Sequence, residues 1–232
     1  MKRKLFCFPY AGGSSVAIYS KWKEVLGSEI ELIPVEMPGR GRLFGKEHYE
    51  NVEEAVGDLL QVIEDDIEDC EYGLWGHSMG GMIVYELAKR IDSLGKNKPK
   101  NVIVSGKKPL HIPRTDEPVH NLPDEEFIKE VVELNGTPNN FFENKELREL
   151  FLPILRKDFK LVYEYKHDEN VGNIDIPLTA VMGSKEEISD IEKIRWNELT
   201  CGKCKIITLH GDHFFINDNV ENMASIIKTA LA

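Results

Sequence analysis

No apolar run in this chain approaches the ~20 residues of a membrane-spanning helix. Met1-Lys2-Arg3-Lys4 leads into only Leu5-Phe6-Cys7-Phe8 before Pro9, too short for the apolar core of a signal peptide. A cytoplasmic location is expected. Basic charge is in deficit: 29 Lys+Arg stand against 40 Asp+Glu, a net charge of -11. That balance opposes binding to nucleic acid or to an anionic membrane over most of the surface. There are only four cysteines. Cys7 and Cys70 fall in or beside expected strands, where a thiol acts as a small apolar side chain. Cys201-Gly202-Lys203-Cys204 has the spacing of a redox or zinc half-site, but no second pair and no thioredoxin-like context accompany it, so it reads as a loop coincidence. No metal and no cofactor are expected. Internal repeats and low-complexity tracts are also missing.

With 232 residues, 41% of them hydrophobic, the chain can bury one sizeable core, as expected of a single domain over 1–232. Short apolar runs alternate with helical patterns. Lys4 to Phe8, Ile30 to Val35, Tyr72 to Trp75, Val102 to Gly106, Leu178 to Gly183 and Lys205 to Leu209 read as strands. Helices are expected at Val16 to Leu26, at Val52 to Ile67, where apolar residues recur at 52, 56, 59, 60, 63 and 67, after residue 81, and at Val220 to Leu231. The alternation predicts an α/β fold with a mostly parallel central sheet flanked by helices on both faces.

Between Lys107 and His167 the alternation breaks. Pro109, Pro113, Pro118 and Pro123 punctuate a loop, and Asp124 to Leu134, Lys145 to Leu152 and Leu155 to Tyr165 read as three amphipathic helices. The spacing predicts a helical lid inserted at 107–167. Its apolar residues, among them Phe127, Phe141, Phe142, Phe151 and Phe159, either line a channel or hold the insertion down.

Gly76-His77-Ser78-Met79-Gly80-Gly81 lies between a strand and a helix and has the form of a nucleophile elbow. There the serine sits in a turn so tight that the residues two positions away must be tiny, and the strain presents its hydroxyl beside backbone N–H groups at a helix N-terminus. A serine needs an imidazole to take its proton. Of the seven histidines, His213 fits best: it follows the last expected strand and precedes the last helix, whereas His48, His77, His111, His120, His167 and His210 fall in less suitable places. The third group must be a carboxylate between the insertion and His213, which leaves Glu186, Glu187 and Asp190 open. The oxyanion donors expected are the N–H of Met79 and one from Tyr10-Ala11-Gly12-Gly13, taken at Ala11.

Five blocks resemble, in order, those of the type II thioesterases that accompany non-ribosomal peptide and polyketide synthases. They are Phe8 to Ser14, Pro38-Gly39-Arg40-Gly41-Arg42, Gly76 to Gly81, Leu122 to Phe127 with Gly136-Thr137-Pro138, and Gly211-Asp212-His213-Phe214-Phe215. The resemblance implies an α/β-hydrolase fold with a mobile helical lid. It also implies hydrolysis of acyl thioesters from the phosphopantetheine arm of an acyl- or peptidyl-carrier protein, clearing misprimed or stalled groups. A monomer is expected. The family places Asp in a Gly-x-x-Asp arrangement; Gly183-Ser184-Lys185-Glu186 puts Glu186 at that position. Carrier proteins are generally acidic, so docking on this acidic chain is expected to use basic residues such as Arg40, Arg42, Lys107 and Lys108 or apolar contact near the lid. A carboxylesterase or lipase would share the serine constellation, a chain-terminating thioesterase would release full-length product, and a protein that binds carriers without catalysis is the reading from a different class.

Overall fold

The computed structural model describes residues 2–134, 136, 141–168 and 172–232; Thr137 and Pro138 of the fourth block lie outside them. Six strands form one sheet: β1 (Arg3–Phe8), β2 (Ile30–Pro34), β3 (Tyr72–His77), β4 (Asn101–Ser105), β5 (Leu178–Gly183) and β6 (Cys204–Leu209). Their order is β2-β1-β3-β4-β5-β6 and every pairing is parallel. Side chains alternate across the sheet. Phe6, Phe8, Leu74, Val102, Val104 and Ala180 pack on one face with α3 (Val52–Ile67) and α4 (Met79–Ser93). Leu5, Cys7, Trp75, Ile103 and Val181 pack on the other with α1 (Ser15–Tyr19), α2 (Trp22–Leu26) and α8 (Val220–Leu231). With both faces covered, the strands read as continuous apolar runs rather than alternating ones.

Two helical expectations need correction. The segment read as one helix from Val16 to Leu26 is two, α1 and α2, because the ladder tightens at the junction, where Lys23 N–H bonds the Ser20 carbonyl three residues back. Conversely, the two helices read from Lys145 to Tyr165 are a single α6 (Lys145–Glu164) that runs through Pro153. Pro153 and Glu149 are both exposed, so water is at hand for the Glu149 carbonyl that loses its donor. The first turn of α6 is capped by Asn144, whose side-chain oxygen accepts from the amides of Glu146 and Leu147.

The segment between β4 and β5 also carries α5 (Asp124–Glu133), and no strand appears among its described residues. Phe127, Val131, Phe142, Leu152 and Leu155 form a small core of their own, with the Phe127 and Phe159 rings edge to face at 5.4 Å. This apolar stripe is therefore used largely in packing within the insertion. Further along α6, Leu161 joins the main core.

The registers align one edge of the sheet. Phe8 of β1 faces Gly76 of β3, His77 faces Ser105 of β4, and Gly183 of β5 faces Leu209 of β6. The loops leaving the carboxyl ends of β1, β3, β5 and β6 consequently converge, as ligand sites of parallel α/β sheets do. The helix between β5 and β6 is α7 (Asp190–Ile194), closed at its start by a Ser189–Glu192 capping box. Among the described residues no helix is long and apolar enough to cross a membrane, and no His/Cys/Asp/Glu group could hold a metal.

Candidate active site

Ser78 sits between the last residue of β3 and the first of α4, with φ 55° and ψ -111°. Among the described residues it alone has positive φ without being glycine. Such a conformation costs roughly 1–3 kcal/mol and persists only where its surroundings over-determine it. Here the Ser78 amide donates to the Ser105 carbonyl at 2.8 Å, and the Ser78 carbonyl accepts from Gly81 at 3.0 Å and Met82 at 3.3 Å. The glycines leave no alternative. A Cβ on Gly76 would overlap the Gly80 backbone, and one on Gly80 would overlap the Phe8 carbonyl.

Three loops bring three side chains into line. Ser78 Oγ lies 2.9 Å from His213 Nε2, and His213 Nδ1 lies 2.8 Å from Glu186 Oε1. The other carboxylate oxygen, Oε2, accepts the Gly183 amide at 2.7 Å, so both Glu186 oxygens are fixed. Two further bonds join the loop bearing the acid to the loop bearing the imidazole: Lys185 N–H to the Gly211 carbonyl at 2.8 Å, and Gly211 N–H to Ser184 Oγ at 3.3 Å. The Glu186 side chain is 6% exposed and that of His213 is 22% exposed. In the tautomer that carries its proton on Nδ1, that proton meets the carboxylate and Nε2 meets the serine hydroxyl as an acceptor.

The competing acids stand elsewhere. Glu187 is exposed, and Asp190, 96% exposed, begins α7 and pairs with Lys193 at 3.0 Å. Glu186→Gln is expected to lower kcat by about 10²- to 10⁴-fold, because the amide cannot hold the charged imidazole and favours the wrong tautomer. Glu187→Gln and Asp190→Asn should leave kcat within about twofold, since neither approaches the imidazole; steady-state kinetics on the three variants check this.

The remaining histidines lie outside this line of bonds. His111 bonds Glu198, His120 packs on Tyr163, His167 meets Tyr165, and the His48 ring covers Gly39. His210 follows β6, and its carbonyl accepts from Asn219. His77 is wholly buried beside His213, ring centroids 5.1 Å apart, with Nδ1 3.0 Å from Ser105 Oγ. Burial holds its pKa well below the ordinary imidazole value of about 6.5. Its folded form stays neutral while the unfolded chain takes up a proton as pH falls through about 6.5, so this contribution to stability is present above that pH and is lost progressively below it. Unfolding titrations in urea at pH 7.5 and 5.5 should show that loss, and a folded His77→Asn variant should lose less.

Of the oxyanion donors expected, Met79 N–H opens α4 directly after Ser78, and Ala11 N–H lies in the loop after β1; among the described residues no hydrogen bond engages either amide. The neighbouring amides are taken: Gly13 donates to the Tyr10 carbonyl at 3.0 Å and Gly12 to Asp158 Oδ2 at 2.7 Å. Asp158 is a residue that the sequence reading passed over. Its signal was a carboxylate on the apolar stripe of α6, three residues from both Leu155 and Leu161. Its partner corrects an expectation. Arg40 is not a surface cation available for docking: it is 4% exposed and forms a two-pronged ion pair with Asp158 at 2.6 and 2.7 Å. Lys107 is half-buried, Lys108 is exposed 3.5 Å from Glu192, and Arg42 is exposed.

Comparison with known proteins gives the family. The thioesterase domain family model matches residues 3–231, nearly the whole chain. The chain belongs to the thioesterase family. Linear gramicidin dehydrogenase LgrE of Brevibacillus parabrevis is 34% identical over 233 residues, covering 98% of this thioesterase and 87% of that protein. The crystal structure of ClbQ from the colibactin NRPS/PKS pathway superposes with a TM-score of 0.92 at 31% identity, covering all of this chain and 97% of that one. The type II thioesterase BorB from the borrelidin biosynthetic cluster gives a TM-score of 0.90 at 28% identity, covering all of this chain and 94% of that one. The thioesterase described here thus has the α/β-hydrolase fold that its sequence predicts.

Proposed function

We propose that this thioesterase hydrolyses acyl groups from the phosphopantetheine arm of an acyl- or peptidyl-carrier protein through an acyl-Ser78 intermediate, releasing misprimed or stalled groups from a peptide or polyketide synthase. One observation carries the reading: the unbroken line Ser78 Oγ, His213, Glu186, with contacts of 2.9 and 2.8 Å at the carboxyl edge of the sheet. His213 Nε2 takes the hydroxyl proton as Oγ attacks the thioester carbonyl. The oxygen of the tetrahedral intermediate is held by the amides of Met79 and Ala11, each such donor contributing about 10²- to 10³-fold in kcat. Collapse expels the pantetheine sulfur, which receives the proton from His213. Water, deprotonated by the same imidazole, then attacks the acyl-serine, and the acid leaves as Ser78 recovers its proton. Glu186 orients the ring and stabilises its charged form throughout. All of these groups come from one chain, so a monomer working in the cytoplasm suffices.

The segment 107–167 acts as the lid over this chemistry, with Leu155 and Asp158 of α6 lying on the loop after β1. ClbQ comes from an NRPS/PKS pathway and BorB is a type II thioesterase of a biosynthetic cluster, and that supports a carrier-borne substrate. The activity in the LgrE name has no counterpart in the residues assembled here, which are those of proton and acyl transfer rather than of hydride transfer. Comparing kcat/KM on an acyl-loaded carrier protein, the matching acyl-CoA and the matching oxygen ester tests the reading. The carrier thioester should be preferred by tenfold or more. Equal or better turnover of the ester would assign a carboxylesterase instead, and failure of Ser78 to react with a fluorophosphonate would leave only carrier binding.

A further inference from the structure

The loop Tyr10-Ala11-Gly12-Gly13 contributes no reacting side chain, yet the position of its backbone decides whether an oxyanion is held. It is fixed from outside itself. Asp158 Oδ2 accepts the Gly12 amide at 2.7 Å, and Arg40, paired with that same carboxylate, sends Nη1 to the Gly13 carbonyl at 3.3 Å and Nε to the Pro38 carbonyl at 3.2 Å. The pair therefore grips the loop by the amide of one residue and the carbonyl of the next. Leu155, one turn before Asp158 on α6, lies over Gly12 so closely that a Cβ there would overlap it, and Gly12 holds φ +76°. On the far side, Glu36 accepts from Ser14 Oγ at 2.6 Å and from the Ser15 amide at 2.9 Å, anchoring the loop's exit.

A buried ion pair is a weak source of stability, since apolar residues of similar volume commonly replace one at no loss. It does impose geometry, because a planar guanidinium and a carboxylate meet in one orientation. We infer that Arg40 and Asp158 are positioning residues that set the Ala11 amide for the oxyanion, so that full catalytic power requires α6 to be seated on the loop after β1. The inference rests on the reading of Ala11 as a donor.

The double variant Arg40→Met/Asp158→Leu tests it, because it keeps apolar bulk at both places while releasing the Gly12 amide and the Gly13 carbonyl. The expected result is a Tm at or above that of the wild type, kcat lower by about 10- to 100-fold and KM within about twofold, since small misplacement of a catalytic group costs rate rather than ground-state binding. An alkylboronic acid, whose tetrahedral Ser78 adduct carries an anionic oxygen, should bind more weakly by the same factor as kcat falls. A role in folding alone would lower Tm and leave kcat per folded molecule and boronate affinity at wild-type values, and that result would overturn the inference. Should the double variant not accumulate, Asp158→Asn should lower kcat and boronate affinity in the same direction, now with a lower Tm because Arg40 keeps a buried charge without its partner, and wild-type kcat per folded molecule with wild-type boronate affinity there overturns the inference equally. Replacing the Ala11 amide by an ester through semisynthesis separates the two claims. An ester with wild-type kcat removes the donor reading and the inference with it. An ester that costs 10²-fold, beside paired-residue variants of wild-type rate, removes the inference alone.

Discussion

Ser78→Ala is expected to lower kcat on an acyl-loaded carrier protein by about 10⁴- to 10⁶-fold while leaving the fold intact. In the proposed mechanism every covalent step passes through the Ser78 oxygen, and His213 has no other hydroxyl against Nε2 among the described residues. What activity remains would come from the proposed oxyanion amides and substrate positioning acting on water. The same residue has a second, opposite effect. With φ at 55°, Ser78 holds a conformation that glycine adopts freely. Ser78→Gly should therefore raise stability by about 1 kcal/mol, a Tm increase of roughly 2–4 °C for a domain of this size, while being as inactive as the alanine variant. A fall in Tm would mean that the hydroxyl's contact with His213 outweighs the backbone strain.

Gly76→Ala and Gly80→Ala should each destabilise by about 3–5 kcal/mol, a large part of the total stability of an ordinary domain. The atoms in the way are backbone, the Gly80 carbonyl in one case and the Phe8 carbonyl in the other, and neither can swing aside as a flexible side chain would. Relief would require β3 to separate from α4, or α4 from β1. Either movement also displaces Ser78, so the folded fraction of each variant should have lost most of its activity. Gly57→Ala is the control: Gly57 is exposed within α3 with nothing near the added methyl, and alanine there should stabilise by about 0.5–1 kcal/mol. Urea unfolding of the three variants in parallel measures the contrast. A Gly80→Ala protein as stable as wild type would contradict the packing described for the elbow.

The elbow could be read from the sequence because its constraint is local: a serine two residues from a glycine on each side, with strand character before and helix character after. His213 was legible for a related reason, its place between the last strand and the last helix. The carboxylate was harder. Glu186, Glu187 and Asp190 follow the same strand within a few residues of one another, and only the turn at Gly183, which bonds one oxygen of Glu186 while the other meets Nδ1, separates them. The sheet strands were recognisable from their apolar runs, since burial on both faces leaves little else they could be. The continuity of α6 through Pro153 was not, because propensity does not say which face of a helix meets water, and the break between α1 and α2 was not, because one tightened turn leaves the apolar spacing unchanged. Least legible was the Arg40–Asp158 pair. Its members lie 118 residues apart, and Pro38-Gly39-Arg40-Gly41-Arg42 has the composition of a solvated loop. Only tertiary packing, with α6 lying across the loop after β1, turns that arginine inward.

Intact-protein mass spectrometry of an acyl-loaded carrier protein, followed over time with the wild-type enzyme and with Ser78→Ala, reads the central claim directly. The expected result is loss of the acyl mass with the phosphopantetheine arm retained, complete with wild type and at the no-enzyme rate with the variant. Persistence of the acyl group to the same extent with both proteins would contradict it.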